Sequence, residues 1–268
     1  MAAMIEATLR YVAAMDERPF FYLYEPPAGT PSRNTRGERR TVSIRDAREL
    51  APAATLDREG FTLVGHDTVV DDLWDAARVR RDYYGEMEGL VQRVTGAARV
   101  LAFDHNVRSA PRAERGVDGA QRPVRFPHND YTERSAPQRV RDLIGGDEAE
   151  ALLARRFAIV NAWKPIRGRV LDTPLAFCEA SSIAPNDLVA TDLRYRDRTG
   201  EIYSLRFDTR QRWFYYPEMT AGEVLLLKCF DSDRERASFT AHSAFDHPAA
   251  PADAPPRESI EVRTLAFY

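Results

Sequence analysis

Cysteine is scarce in this chain, and its scarcity excludes two classes of protein. Among 268 residues there are only two cysteines, Cys178 and Cys229, and neither lies in a Cys-x-x-Cys pattern. A disulfide-stapled scaffold or a cysteine zinc cluster needs more thiols at closer spacing. We therefore expect two reduced, buried thiols.

The sequence also lacks an excess of basic residues and a long hydrophobic run. It has 38 lysines and arginines against 41 aspartates and glutamates, a net charge of −3 and a pI near 6.0. Nucleic-acid-binding domains usually carry a basic excess, so no nucleic-acid partner is expected. No stretch approaches the ~20 apolar residues that span a bilayer, so no membrane partner is expected either.

The N-terminal segment, residues 1–15, lacks the uninterrupted apolar core of a signal peptide. It is interrupted by Glu6 and Arg10, and it fits an amphipathic helix better. A cytoplasmic location is therefore expected.

The remaining sequence predicts one mainly β domain with flanking helices. With 268 residues and 44% hydrophobic content, the chain can bury a large core as a single domain, residues 1–268. Residues 1–97 are interpreted as a helix-rich preface, with helical spacing over residues 69–94 and a stop at Gly96. Residues 98–268 have the short β-rich runs of a sandwich or jelly-roll core. The candidate strands there are residues 157–163, 175–178, 188–195, 202–207, 212–216 and 223–230.

The most informative motif is His128-Asn129-Asp130, with His242 far downstream. Side chains alternate in an extended segment, so His128 and Asp130 share a face, and a distant strand must supply a third ligand. Two imidazoles and one carboxylate form the facial triad of non-haem Fe(II) oxygenases, which leaves open positions for a 2-oxo acid and O₂. His242 is the preferred third ligand. His247 competes with it but precedes Pro248 and a proline-rich loop.

An anion-binding pattern follows in the C-terminal strand. Alternation places Arg257, Ser259, Glu261 and Arg263 on one face. A guanidinium can bind a carboxylate through two parallel hydrogen bonds, and a nearby hydroxyl can add a third. Arg257 with Ser259 is preferred for the distal carboxylate of 2-oxoglutarate. Arg263 lies on the same face and stays an alternative, although Glu261 could neutralise it.

Three further residues are candidates for the substrate pocket. His105 follows an apolar run and could face the cleft, although a hydrogen-bonded histidine at a strand end is the favoured interpretation. Asn161 and Trp163 share a strand face and could line the cavity, while Lys164 points oppositely. Trp163 is interpreted first as core packing and second as a pocket wall.

Eight strings in order resemble one subfamily of the Fe(II)/2-oxoglutarate-dependent dioxygenases. That subfamily groups a cephamycin 7α-methoxylation component with fungal hydroxylase/desaturase proteins, including gibberellin desaturase-like and endoperoxide-forming members. The resemblance runs from about Tyr22 to the C-terminus. The strings are FDHNVR (103–108), HNDYT (128–132), NAWKPI (161–166), PLAFCEASSI (174–183), WFYYPEM (213–219), LLLKCFDS (225–232), AHSAF (241–245) and RESIEVR (257–263).

The resemblance implies a double-stranded β-helix (jelly-roll) core, with Fe(II) held by His128, Asp130 and His242. It also implies that Arg257 and Ser259 bind 2-oxoglutarate, and that O₂ and a small secondary metabolite are the other reactants. The 15-residue spacing from His242 to Arg257 is long for this motif, which keeps Arg263 open as the carboxylate partner. The expected reaction is hydroxylation, desaturation or a related oxidation of an unactivated C–H bond.

Two alternatives come from other functional classes. The chain could be a non-catalytic or dependent partner subunit, because the cephamycin component of the subfamily acts alongside a second protein. It could also be a zinc hydrolase that uses the same His/Asp/His set with a bound water. Arg257 and Ser259 would then have no role. A homodimer or a partner protein is compatible with the sequence.

Overall fold

The computed structural model describes residues 4–268 and consists mainly of two packed β-sheets. The larger sheet has nine strands in the order β1-β3-β12-β9-β14-β7-β11-β10-β2. Its strands, in chain order, are β1 (Met4–Val12), β2 (Phe20–Tyr22), β3 (Gly37–Asp46), β7 (His128–Asn129), β9 (Leu175–Cys178), β10 (Leu188–Arg194), β11 (Thr199–Leu205), β12 (Trp213–Tyr215) and β14 (His242–Ala244).

The smaller sheet has six strands in the order β4-β13-β8-β15-β5-β6. These strands are β4 (Phe61–Gly65), β5 (Arg99–Arg108), β6 (Ala120–Gln121), β8 (Phe157–Pro165), β13 (Glu223–Asp231) and β15 (Ser259–Phe267). All but the β5–β6 pair run antiparallel to their neighbours. The C-terminal strand β15 therefore lies in the middle of this sheet.

Helices flank the sheets. A helical stretch begins with α1 (Ala76–Arg78), continues through a π-turn (Val79–Tyr83) and ends with α2 (Tyr84–Thr95). Gly96 terminates it with a left-handed φ of 70° while its N–H donates to the carbonyl of Gln92, a conformation that glycine adopts without steric cost. The other helices are α3 (Ala110–Glu114), α4 (Ser135–Leu143) and α5 (Gly146–Leu153).

Strand β8 shows how the sequence sorts residues between the two sides of the smaller sheet. Ala158, Val160 and Ala162 pack with α2 in one core cluster. Trp163, one position along, belongs to a second cluster formed with Phe177 and other residues of the larger sheet. The interior between the sheets therefore receives the odd-numbered side chains of β8, including Asn161 and Trp163.

The prediction for residues 1–97 needs correction. Residues 4–65 contain four strands, β1 to β4, with a short 3₁₀ turn at Ala47–Glu49, and α-helices occur only from Ala76 onward. The expected amphipathic helix over residues 1–15 is wrong for the described part, since Met4–Val12 is a strand. Ala7, Leu9 and Tyr11 are buried at every second position, which is the period of a strand rather than a helix.

Other sequence predictions of the fold class and of individual elements are confirmed. The mainly β fold with flanking helices is confirmed, as is the helix that stops at Gly96. Each of the six candidate strands after residue 156 occurs within a few residues of its expected bounds. Within residues 4–268, no helix combines the length and the apolar character needed to cross a bilayer.

A buried ion-pair network links β13 to a neighbouring loop. It leads to a prediction about the free energy of unfolding. Lys228 is 1% exposed and its Nζ lies 2.7 Å from both Asp57 Oδ1 and Asp231 Oδ2. Lys228→Met should lower the free energy of unfolding by about 2 kcal/mol, because it removes a charge-assisted hydrogen bond from the fully buried Asp231, which keeps only Arg156 as a cationic partner. Urea unfolding of the metal-free protein measures this.

The matched control is Arg141→Gln, which breaks an exposed pair with Glu150. Exposed pairs contribute little, so this variant should keep the wild-type midpoint. Equal midpoints for the wild type and both variants would contradict the stabilising role of Lys228.

Candidate metal and 2-oxoglutarate site

Strand pairing brings two histidines and an aspartate together between the sheets. His128 of β7 lies directly opposite His242 of β14, and their ring centroids are 4.5 Å apart. Asp130 follows two residues after His128. One potential ligand atom from each of His128, Asp130 and His242 falls within 4.8 Å of the others. The three residues therefore form a cluster of the size that one metal ion requires.

Asp130 is held by two residues of the smaller sheet. Its Oδ2 accepts hydrogen bonds from Asn161 Nδ2 and Arg263 Nε, both at 2.8 Å. Asn161 and Arg263 are themselves paired across β8 and β15. Burial opposes ionisation, but the Arg263 guanidinium and the two histidines lower the pKa of Asp130 well below its usual value. The carboxylate is therefore an anion with Oδ1 still available.

Each of the two histidines offers a ring nitrogen to the cluster. His128 donates its Nδ1–H to the carbonyl of Phe126 at 2.7 Å, which leaves Nε2 with a lone pair. Burial, together with the nearby His128, lowers the pKa of His242 to about 4. Within the described residues, the buried Nδ1 of His242 has no hydrogen-bond partner. Neutral imidazoles next to an ionised carboxylate suit a divalent cation.

His247, the competing histidine, lies outside this cluster. Its Nδ1 accepts the N–H of Ala249 at 3.2 Å, and its Nε2 lies 3.4 Å from the hydroxyl of Tyr215. The geometry thus favours His242 over His247.

Arg257 faces a small cavity beside the histidines. The cavity is lined by His128, His242, Trp163, Glu261 and Arg257, among others. Arg257 is 4% exposed; its Nη1 donates to the carbonyl of Thr173 at 2.7 Å and its guanidinium lies 5.4 Å from the Trp163 ring. Burial, and secondarily the nearby Arg108, lowers its pKa to about 9. A buried cation in this position favours an anionic ligand.

Two buried polar atoms at the start of β15 have no partner within residues 4–268. In the described chain, Arg257 Nε and Ser259 Oγ are buried and have no hydrogen-bond partner. Buried donors are rarely left unpaired, so a ligand that accepts from both would stabilise the site. The pair is the one that the sequence motif singled out.

Arg263 has a different environment from Arg257. Besides Asp130, its guanidinium contacts Glu261 Oε1 at 3.0 Å and Asp104 Oδ2 at 3.2 Å. Three carboxylates already surround it, and the expected neutralisation by Glu261 is present. Its donors are taken by these three carboxylates, so Arg257 is preferred and a role of Arg263 in binding 2-oxoglutarate stays a prediction.

The three candidate substrate residues lie in different environments. His105 lies on the face of β5 that is turned away from the cleft, where its Nδ1 is 2.9 Å from the hydroxyl of Tyr84. The expectation that it contacts the substrate is therefore corrected. Asn161 contacts Asp130 and lines neither cavity. Trp163 lines the small cavity beside Arg257. Trp163 alone is thus placed as a pocket wall.

A second, larger cleft of about 1130 Å³ opens over the metal cluster. His128, Asp130 and Arg263 belong to its lining, and Arg108, Val124 and His128 also border the small cavity, whose volume is about 20 Å³. The cleft and the small cavity therefore meet at the cluster.

Comparison with known proteins decides the family. A family model described as "YDMC: Oxidoreductase/YMDC permease-like domain" matches residues 9–267. The Fe(II)/2-oxoglutarate-dependent dioxygenase nvfI of Aspergillus novofumigatus is 36% identical over 255 residues, covering 92% of this chain and 90% of that protein. The chain belongs to the Fe(II)/2-oxoglutarate-dependent dioxygenases.

Two further comparisons support this membership. The hydroxylase/desaturase efuI of Hormonema carpetanum is 33% identical over 250 residues, covering 85% of this chain and 83% of that protein. A solved structure of the iron and alpha-ketoglutarate-dependent endoperoxidase NvfI superimposes with a TM-score of 0.88 at 32% identity, covering 98% of both chains. The predicted jelly-roll core of this dioxygenase is thereby confirmed.

This Fe(II)/2-oxoglutarate-dependent dioxygenase uses Fe(II), 2-oxoglutarate and O₂, as the sequence predicted. The donor set fits the metal, since the cluster offers two imidazoles and one carboxylate. Sequence analysis missed Asn161 and Arg263 as supports of Asp130. Alternation along the two strands could have indicated that both side chains face the interior. The sequence does not show, however, that β8 and β15 pair and bring the two residues together.

Proposed function

We propose that His128, Asp130 and His242 hold Fe(II) and that Arg257 and Ser259 bind the distal carboxylate of 2-oxoglutarate. The main support for this proposal is that the metal cluster lies beside a cavity lined by the buried guanidinium of Arg257, which has no carboxylate partner among the described residues. The free Nε of Arg257 and the free hydroxyl of Ser259 would both donate to that carboxylate. Trp163 forms the wall against which the co-substrate chain would lie.

With this site loaded, the protein oxidises an unactivated C–H bond of a small secondary metabolite. The printed names of the relatives, hydroxylase/desaturase and endoperoxidase, support an oxidation of this kind. Fe(II) with 2-oxoglutarate and O₂ supplies the oxidising power, and 2-oxoglutarate is decarboxylated to succinate. Hydroxylation transfers an oxygen atom to the carbon that loses a hydrogen, whereas desaturation removes a second hydrogen from the neighbouring carbon, so the placement of the substrate decides between them.

The chain's own residues position these reactants. Asn161 and Arg263 fix Asp130 Oδ2, which leaves Oδ1 directed to the cluster. The carbonyl of Phe126 orients the ring of His128. Supports of this kind hold ligands in place and commonly affect metal affinity by 10–100-fold. Arg257 orients the co-substrate, and the larger cleft receives the substrate.

The two alternatives are not favoured. Relatives that span most of the chain are Fe(II)/2-oxoglutarate-dependent dioxygenases, which leaves no support for a zinc hydrolase or a non-catalytic subunit. A homodimer or a partner protein stays a prediction.

We also propose that residues 1–268 form one oxygenase domain. Strands β1, β2 and β3 belong to the same sheet as the ligand-bearing strands β7 and β14, and β4 pairs with β13 of the other sheet. A cytoplasmic location is proposed as well, supported by two buried cysteines that are both free.

Anaerobic titration with Fe(II) and 2-oxoglutarate tests the function. We expect a visible metal-to-ligand charge-transfer band when both are present, and succinate after O₂ is admitted. Zinc-loaded protein is the control, because Zn²⁺ has no redox chemistry and should give neither. Wild-type protein that binds no Fe(II) and shows no band would refute the oxygenase assignment.

A further inference from the structure

The substrate cleft is large, with a volume of about 1130 Å³, and its lining contains both charged and apolar residues. The apolar ones, here called the apolar wall, are Phe21, Leu23, Val124, Phe126, Leu193 and Ile202. Apolar side chains in a pocket lining favour an apolar part of the ligand.

The cleft also contains five arginines, and most of them are engaged. Arg134 pairs with Glu201, and Arg263 pairs with Asp130. Arg108 donates to the carbonyl of Arg122 and lies at the boundary with the small cavity. Arg198 is exposed and lies over Tyr195, 3.9 Å from its centroid.

Arg139 of α4 differs from the others. Its guanidinium lies 5.0 Å from the centroid of Phe103, and its buried Nε has no hydrogen-bond partner. Across residues 4–268, no carboxylate lies within ion-pairing distance of Arg139, and neither terminal nitrogen donates to a protein atom. Asp142, one turn further along α4, instead accepts a hydrogen bond from Gln138. A partly immobilised guanidinium with free donors therefore borders the cleft.

This arginine is connected to the metal cluster by two aromatic side chains. Tyr131 is the residue after Asp130, and its ring centroid lies 6.5 Å from that of Phe103. Arg139 covers Phe103 in turn. Tyr131 and Arg139 both line the cleft together with Asp130. A ligand that reached the metal cluster could thus extend past Tyr131 to Arg139.

We propose that Arg139 binds a carboxylate of the substrate, so that the substrate is a largely apolar carboxylic acid that spans the cleft from the metal cluster to α4. The inference rests on the proposed function of the cluster. The planar fork of arginine forms two parallel hydrogen bonds with a carboxylate, and the apolar wall covers the rest of the molecule. The oxidised carbon then lies apart from the acid group.

The test measures binding of acids and their neutral amides. The protein is loaded anaerobically with Fe(II) and N-oxalylglycine, which occupies the 2-oxoglutarate cavity and keeps acid probes away from Arg257. The probes are 2-naphthoate and abietate, each compared with its primary carboxamide by calorimetry. We expect the wild type to bind at least one acid about tenfold more tightly than its amide, because only the acid forms charge-assisted bonds.

Three variants make the result specific. Arg139→Gln should bring the acid-to-amide ratio close to one, and Arg139→Lys should give an intermediate ratio because the charge remains without the fork. Arg141→Gln is the matched control on the same helix, since Arg141 pairs with Glu150 at the surface, and it should keep the wild-type ratio. Amide binding reports whether each variant keeps an intact cleft.

Several outcomes would overturn the inference. Equal binding of acid and amide to the wild type would do so, as would a preference that survives Arg139→Gln. Loss of the preference in Arg198→Gln alone would assign the carboxylate to Arg198 instead. The charge-transfer band with 2-oxoglutarate is recorded separately, so failure of the oxygenase assignment is distinguished from failure of the Arg139 assignment.

Discussion

His242→Ala should abolish Fe(II) binding, whereas His247→Ala should leave it intact. The two histidines are five residues apart in one segment, but only His242 lies opposite His128 in the larger sheet. Loss of one of three protein ligands should weaken binding by more than roughly 100-fold, because even residues that merely support ligands contribute 10–100-fold. Anaerobic calorimetric titration with Fe(II) measures the change.

The comparison between these two variants also controls for packing. His242 is 4% exposed and His247 contacts Tyr215, so each substitution removes an imidazole from a partly packed environment. Circular dichroism of the metal-free variants establishes that both are folded. If His247→Ala lost Fe(II) and His242→Ala retained it, the ligand assignment would be wrong.

Arg257→Ala and Arg263→Ala should affect different ligands. Arg257→Ala should raise the Kd of 2-oxoglutarate about 100-fold at saturating Fe(II), because truncating one side of a buried charged pair costs about 2–5 kcal/mol. Its effect on Fe(II) affinity should be small, since Arg257 contacts Thr173 rather than a metal ligand. The charge-transfer band, followed against 2-oxoglutarate concentration, gives the Kd.

Arg263→Ala should instead weaken Fe(II) binding by about 10–100-fold, as expected for a residue that supports a ligand. Its Nε holds Asp130 Oδ2 at 2.8 Å, and its loss leaves that oxygen with Asn161. Arg263→Lys, which keeps the charge, is the control for the loss of charge alone. A large rise in the 2-oxoglutarate Kd for Arg263→Ala, with wild-type behaviour of Arg257→Ala, would exchange the two roles.

The sequence identified the ligand cluster because local geometry was sufficient for part of it. His128 and Asp130 are two residues apart, and alternation in an extended segment places them on one face whatever the fold. The same argument put Arg257 and Ser259 together. His242 was chosen over His247 from the proline that follows His247, and the structure brings His242 to His128.

His105 shows why the substrate face could not be predicted. After a β-bulge at Phe103, alternation divides the rest of β5 into two sets, and the set with Asp104 and Asn106 lines the cleft. The other set, with His105, faces α2 and Tyr84. The pattern itself cannot tell which set faces which side, because both contain polar residues. Residues 4–65 illustrate a related problem, since short amphipathic segments fit more than one period.

The sequence by itself determined the mainly β fold, the membership implied by eight ordered strings, and the residue types for metal and carboxylate binding. These features depend on local periodicity and on side-chain chemistry, and both can be obtained from the sequence without knowledge of the fold. Only the tertiary structure decided that Arg263 supports Asp130, that Arg257 faces the small cavity beside the histidines, and that Arg139 borders the cleft without a carboxylate partner. These assignments depend on which distant strands and helices become neighbours, and that choice is made by the packing of the whole core.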